Sequence, residues 1–267
     1  MYRLRPIGRT AATLLAATLL AALALASPLA AQGSQKPVAT ETAPPKWQFE
    51  LTPYFWLAGI SGTIKVGRLP SQEVDASFGD ILSNLTFGIM GTAEVRRGRF
   101  GLLADALYMN LTENDTTAPP GFGGTDANIK QGLYTFAATV RATRGKVPVD
   151  FVAGGRYANI SSTLSLTAGA LPARSAAASE GWWAPFIGVR VLLPLSRKWE
   201  LVGYGDFGGF DGYANTQWQL LGGINFNISK LVVAKVGYRY IDIEYIKNEL
   251  NQDLAYGGAY LGAGFRF

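Results

Sequence analysis

Beyond residue 46 the chain alternates apolar and polar residues with a period of two. In 85–96, Phe87, Ile89, Ala93 and Val95 oppose Thr86, Thr92, Glu94 and Arg96. In 216–227, Trp218, Leu220, Ile224 and Phe226 oppose Gln217, Gln219, Asn225 and Asn227. In the last segment Leu261, Ala263, Phe265 and Phe267 oppose Tyr260, Gly262, Gly264 and Arg266. Successive side chains of a strand point to opposite faces, so each segment reads as a strand with one apolar and one polar face. The pattern predicts ten strands, at 47–57, 85–96, 99–111, 130–142, 149–160, 182–194, 199–209, 216–227, 231–245 and 256–267. Eight or twelve are the alternatives: Ile64-Lys65-Val66 could hide further strand residues, and Leu164-Ser165-Leu166 could lengthen a strand. Pro53 and Pro185 fall inside predicted strands and should each mark a bulge or a strand end, because proline cannot donate to a ladder.

The connections alternate in length. Arg97-Gly98, Thr143–Pro148, Leu195–Lys198 and Ile228–Lys230 are short, whereas 58–84, 112–129, 161–181, 210–215 and 246–255 are mostly longer. Transmembrane barrels connect their strands in this way, with short periplasmic turns and longer outer loops. Aromatics gather near the strand ends, at Trp47, Tyr108, Trp183, Trp199 and Tyr238, where interfacial girdles would hold them. The expected fold is therefore all-β: a closed, antiparallel, up-and-down transmembrane β-barrel over 47–267 with both ends of the sheet on the periplasmic side.

The first 46 residues follow another pattern. A basic stretch, Met1–Arg9, precedes an Ala/Leu/Thr run to Ala26 and small residues up to Ala31. That order reads as a secretory signal peptide cleaved after Ala31, with Ala24-Leu25-Ala26 as a second cleavage site. Residues 32–46 carry Pro37, Pro44 and Pro45 and read as a disordered periplasmic tail.

Composition narrows the functions. Charged residues make up 16% of the chain, below the quarter or so of an ordinary soluble domain. The formal charge of +5 includes Arg3, Arg5 and Arg9 of the export signal; without them it is 5 − 3 = +2, which gives no reason to expect a nucleic-acid partner. Cysteine and histidine are both absent. Disulfides, thiolate sites, His-ligated zinc and Ser-His-Asp triads are thereby excluded. No cofactor or metal is expected.

Three groups of residues could carry function. By strand parity Glu50, Glu94, Asp105, Asp150, Glu200 and Asp206 point inward, with Arg141, Arg156, Arg190, Lys235, Arg239 and Arg266. A narrow interior makes unpaired charge costly, so these twelve should pair as a polar plug, with a narrow solute path as the alternative. The second group is the turn at Ser77, Phe78, Asp80, Ile81 and Leu82. Ser followed by Asp three residues on resembles a capping box that opens a short helix. That helix would fold over the barrel mouth or pack on its loop. The third group is the acids Asp206, Asp211, Asp242 and Glu244, expected near the outer rim as solvated acids or cation bridges to lipopolysaccharide. Gly121-Phe122-Gly123-Gly124 reads as a loop.

The terminal Tyr260-Leu-Gly-Ala-Gly-Phe265-Arg-Phe267 resembles the C-terminal assembly signal of outer-membrane barrels, and the resemblance implies recognition by the barrel assembly machinery. Leu51-Thr-Pro-Tyr-Phe-Trp-Leu57, Val74–Leu85 and Arg96-Arg-Gly-Arg-Phe-Gly101 resemble a family of uncharacterised proteobacterial outer-membrane β-barrel proteins. More loosely the chain is similar to OmpA-like, OmpW-like and opacity-type small barrels. These resemblances imply the outer membrane of a Gram-negative bacterium, with outer-membrane lipid and lipopolysaccharide as surroundings. They imply no activity and no oligomeric state. The expected role is non-enzymatic: structural, surface-interaction or envelope-stability. A narrow porin-like channel for small solutes is the alternative, and a rim-acid hydrolase or a soluble periplasmic barrel are lesser ones.

Overall fold

The computed structural model describes residues 46–66, 71–115, 120–209, 216–247 and 250–267. The export signal, the tail up to residue 45 and Asp211 lie outside the described residues. The strands are β1 (Trp47–Val66), β2 (Gln72–Ala76), β3 (Leu85–Arg97), β4 (Phe100–Asp115), β5 (Phe122–Arg141) and β6 (Val149–Ala168). They continue with β7 (Arg174–Pro194), β8 (Trp199–Gly208), β9 (Thr216–Asn227), β10 (Val232–Lys247) and β11 (Leu250–Arg266). Between β2 and β3 lies one short helix, α1 (Phe78–Ser83).

Ten of these strands, all but β2, form a closed antiparallel ring. Each pairs with its neighbour in sequence, and β11 returns to β1 from Glu50↔Arg266 to Val66↔Leu250. Closure pairs the two edges that an open sheet would leave bare. At one end the chain reverses in short turns. The tightest is at Gly98, whose φ of 61 is the left-handed geometry that glycine adopts without strain.

Exposure is inverted relative to a water-soluble fold. Phe55 is 76% exposed, Phe100 69% and Ile187 61%, while the inward Asp150, Arg156 and Asp206 are buried. An apolar exterior around a polar interior requires lipid outside. Trp47 and Trp199 mark the belt near the short turns; Trp183 and Tyr238 mark its other side. Barrels of this kind belong to the outer membrane of Gram-negative bacteria, with the short turns in the periplasm.

The strands outrun the expected spans. A tilted strand crosses a bilayer in about 9–11 residues. β5 and β6 have 20 residues each and β7 has 21, so the outer ends of these strands stand beyond the membrane. Most of 112–129 and 161–181, expected as loops, is thus ladder. Cross-strand pairs such as Asn128↔Thr163 and Ser165↔Ser175 extend it with short polar side chains whose period-two signal is weak.

Both prolines end a ladder without ending their strand. β1 pairs with β3 only from Trp47↔Arg97 to Pro53↔Gly91, then continues to Val66 beside β11. Farther out, β2 takes β3's place and pairs with Ile60–Ile64. On β7, pairing with β8 runs from Pro194 to Phe186, and Pro185 is the first residue beyond it. The missing N–H sits where each strand loses a neighbour.

Candidate functional site: the lumen

The inner face is stacked in three levels. Nearest the periplasm, Asp150 on β6 is fully buried and accepts from three guanidinium groups: Arg96 at 2.9 Å, Arg141 at 2.7 Å and Arg190 at 2.8 Å. Glu94 accepts two hydrogen bonds of 2.7 Å from Arg190 and one of 3.0 Å from Arg96. On the other side of the ring Glu50 pairs with Lys235 and, at 2.7 Å, with Arg266. Asn225 donates to Glu200 at 2.9 Å.

The middle level crosses the lumen. Arg156 donates to both oxygens of Asp206 and also to Gln219 and Thr135. Tyr204 donates to Asp206 at 2.6 Å. Arg239 on β10 reaches Asp105 on β4 at 3.2 Å, the Tyr54 hydroxyl at 2.9 Å and Gln219 at 2.9 Å. Tyr54 in turn donates to Asp105 at 3.0 Å. The two guanidinium groups lie over aromatic rings, Arg156 over Phe186 and Arg239 over Trp56. Gln219 joins the two pairs into one layer. Buried charges persist only when paired and hydrogen-bonded in this way.

Above the ion pairs the interior turns apolar. Trp56, Leu107, Met109, Leu133, Ile241, Ile243, Leu254 and Tyr256 pack in one buried cluster. Trp182 stacks on Tyr245 with centroids 4.3 Å apart. The outward half of the lumen is therefore filled by side chains, as small barrels fill their interiors. Below it a cavity of about 560 Å³ is lined by residues of the middle and periplasmic levels, including Glu50, Tyr54, Arg96, Arg239 and Arg266.

All twelve charges named from strand parity stand on the inner face, and eleven take part in ion pairs. Glu200 has a polar partner only. Arg96 is a thirteenth member that the sequence-based set omits. Its own alternation with Glu94 puts it on the polar face, so the signal was present. The apolar outer half was also missed. Its signal differs between strands: in Tyr54–Ile60 both faces are apolar, and in Tyr240–Ile246 the alternation persists with the apolar Ile241, Ile243 and Tyr245 turned inward and Asp242 and Glu244 on the other face.

The turn after β2 forms α1 with a complete capping box: Ser77 Oγ accepts from the Asp80 N–H, and the Asp80 carboxylate accepts from the Ser77 N–H. The Ser77 hydroxyl also donates to that carboxylate at 2.6 Å, and this bond together with the Ser77 N–H holds the Asp80 carboxyl below its usual range. Of the five residues singled out, Ile81 is buried, Ser77, Asp80 and Leu82 are exposed, and Phe78 is intermediate. The helix packs on β1 and β2 and adds no residue to the lumen cluster, whereas Val74 of β2 does. Gly59 lets the β2–α1 junction approach: a Cβ there would lie 3.0 Å from the Ala76 carbonyl oxygen.

The acids expected at the rim separate. Asp206 lies in the middle of the lumen, because β8 ends only two residues later and its even positions face inward. Asp242 and Glu244 are on the opposite face of β10 from Arg239 and Ile241, and Glu244 accepts from Thr216. Among the described residues no group of three acidic, His or Cys side chains could hold a metal ion. At the terminus Tyr260 is buried in the lumen cluster, while Phe265 and Phe267 are exposed outside. The Phe267 N–H donates to the Phe49 carbonyl at 2.9 Å, which seals the last strand to the first.

The model of one protein family, described as YfaZ precursor, matches residues 153–267. That span lies C-terminal to the three segments that carry the resemblance noted from sequence. No curated protein matches the chain. Among solved structures, the outer membrane protease OmpT from Escherichia coli is similar with a TM-score of 0.50 and 10% identity, over 84% of this chain and 97% of that one. Ail, the attachment invasion locus protein of Yersinia pestis, has a TM-score of 0.34 and 14% identity, over 83% and 98%. The likeness to OmpT is one of fold and agrees with the closed ten-stranded ring.

Proposed function

We propose that this protein is a non-enzymatic outer-membrane barrel whose lumen is a closed, salt-bridged plug, with a structural or surface-interaction role in the envelope. The observation that carries the reading is the stacking of the Arg156–Asp206 and Arg239–Asp105 layer beneath a packed apolar cluster. An aqueous path would need to cross both. The long outer ends of β5, β6 and β7, which stand beyond the bilayer, supply the surface such a role would use. The chain has no histidine for the acid–base work of hydrolysis. The surroundings on this reading are outer-membrane lipid and lipopolysaccharide, with the barrel assembly machinery acting during insertion.

Planar-bilayer recording tests the proposal. The intact barrel is expected to give no reproducible conductance, and combined Leu107→Ala, Ile241→Ala and Tyr256→Ala replacement is expected to open one. Steady channels from the unaltered protein that change with Arg156→Gln or Arg190→Gln would favour the narrow porin-like reading instead.

A further inference from the structure

The cavity beneath the middle layer is not neutral. Eight basic side chains line it against four acidic ones, and with Asp150 and Asp206 behind the guanidinium groups that they bind the wall keeps an excess of two positive charges. Two lining guanidinium groups are incompletely satisfied. Arg96 Nη1 and Arg239 Nε lie within the wall, out of reach of solvent, and have no hydrogen-bond partner among the described residues, although both residues front the cavity. Arg96 is 7% exposed and Arg239 5%. A buried charged donor left unpaired is costly, and native structures keep few of them. Leu103, Leu192, Val202 and Leu221 supply apolar wall beside the cationic groups. A cavity of about 560 Å³ falls within the range that holds small organic ligands.

We propose that this vestibule is a binding site for a small organic anion, a carboxylate or phosphate on a short apolar body, which enters from the periplasm. The anionic head is held by the cationic lining around Arg96 and Arg239, and the body lies on the leucine and valine wall. The inference depends on the closed outer half only for its direction of entry. Ligand binding and bilayer conductance are separate readouts, so either claim can fail alone.

The test is calorimetric titration of the folded barrel in a non-ionic detergent with butyl phosphate, inorganic phosphate and butanol. Butyl phosphate is expected to bind saturably, one per barrel. Butanol is expected not to bind, and inorganic phosphate to bind about tenfold more weakly. Arg96→Gln and Arg239→Gln are each expected to weaken butyl phosphate about tenfold, the loss of one charge-assisted hydrogen bond. Heat-modifiable migration establishes that each variant is folded. If Arg239→Gln does not fold, Arg96→Gln together with Leu192→Asp carries the test. Absence of saturable binding, equal affinity for inorganic phosphate, or unchanged affinity in the folded variants would overturn the assignment.

Discussion

Arg156 on β6 grips Asp206 on β8 across the intervening strand, with N–O distances of 2.7 and 3.2 Å and side chains 1% and 0% exposed. The reach is possible because β7 presents small residues beside each partner, Ala184 and Gly188, and the guanidinium passes over the ring of Phe186 between them. A Cβ on Gly188 would come within 2.8 Å of the Asp206 Cβ, and Ala184 is the partner of Arg156 in the ladder. Removing one member leaves the other charged in a dry interior. Asp206→Asn should destabilise the barrel by about 3 kcal/mol. The double replacement Arg156→Met with Asp206→Leu should lose less than Asp206→Asn alone. Urea unfolding in lipid vesicles, followed by tryptophan emission, measures both.

The exterior predicts the opposite preference. Ile187 is 61% exposed on β7 and paired with the outward Phe207. In water Ile187→Arg would cost little. In lipid it should cost about 2–4 kcal/mol if the site is near the bilayer midplane. Comparing refolding in vesicles with and without the substitution checks that this face meets acyl chains.

The α1 cap should be pH-sensitive. The Asp80 carboxyl is held below 3.8 by the Ser77 hydroxyl and N–H. A depressed carboxylate contributes stability above its unfolded value and loses it as pH falls through the lower, folded one. Backbone amides of 78–84 are therefore expected to stay protected from hydrogen exchange at pH 5 and to lose protection below the Asp80 midpoint. Asp80→Ala should lose it at both.

Gly62 has a φ of 145, and a Cβ there would lie 2.0 Å from the Asp253 carbonyl oxygen. Gly62→Ala should cost about 1–3 kcal/mol through backbone strain and local separation of β1 from β11. The expected readout is a lower midpoint in urea with the periplasmic ladder still intact by hydrogen exchange.

Much of the architecture was legible along the chain because a strand carries its own geometry. Alternation in 216–227 separates Trp218 and Ile224 from Gln219 and Asn225 whatever lies across the lumen. Short turns alternating with long connections gave an even strand number and put both sheet ends on one side. The same rule put Glu94, Asp150, Arg156 and Arg239 on one face. It erred where its premise failed. In the protruding strand ends neither face meets lipid, so the alternation is short and interrupted: Leu164-Ser165-Leu166 keeps it, while Ser161-Ser162-Thr163 has no apolar face. In the outer lumen the inner face is itself apolar, so the contrast fades around Trp56 and reverses around Ile241, where Asp242 and Glu244 take the other face.

Local sequence by itself determined an even-numbered transmembrane sheet, the inward face of its charges and a capped turn at Ser77–Asp80, since strand parity and capping are contacts between near neighbours. Which charges meet was decided only by the closed ring. Arg239 finds Asp105 from 134 positions away, and Arg156 crosses β7 because Gly188 and Ala184 leave room. Those partnerships depend on the curvature that brings distant strands to one lumen. The same curvature packs the outer half shut and leaves a cationic vestibule beneath it.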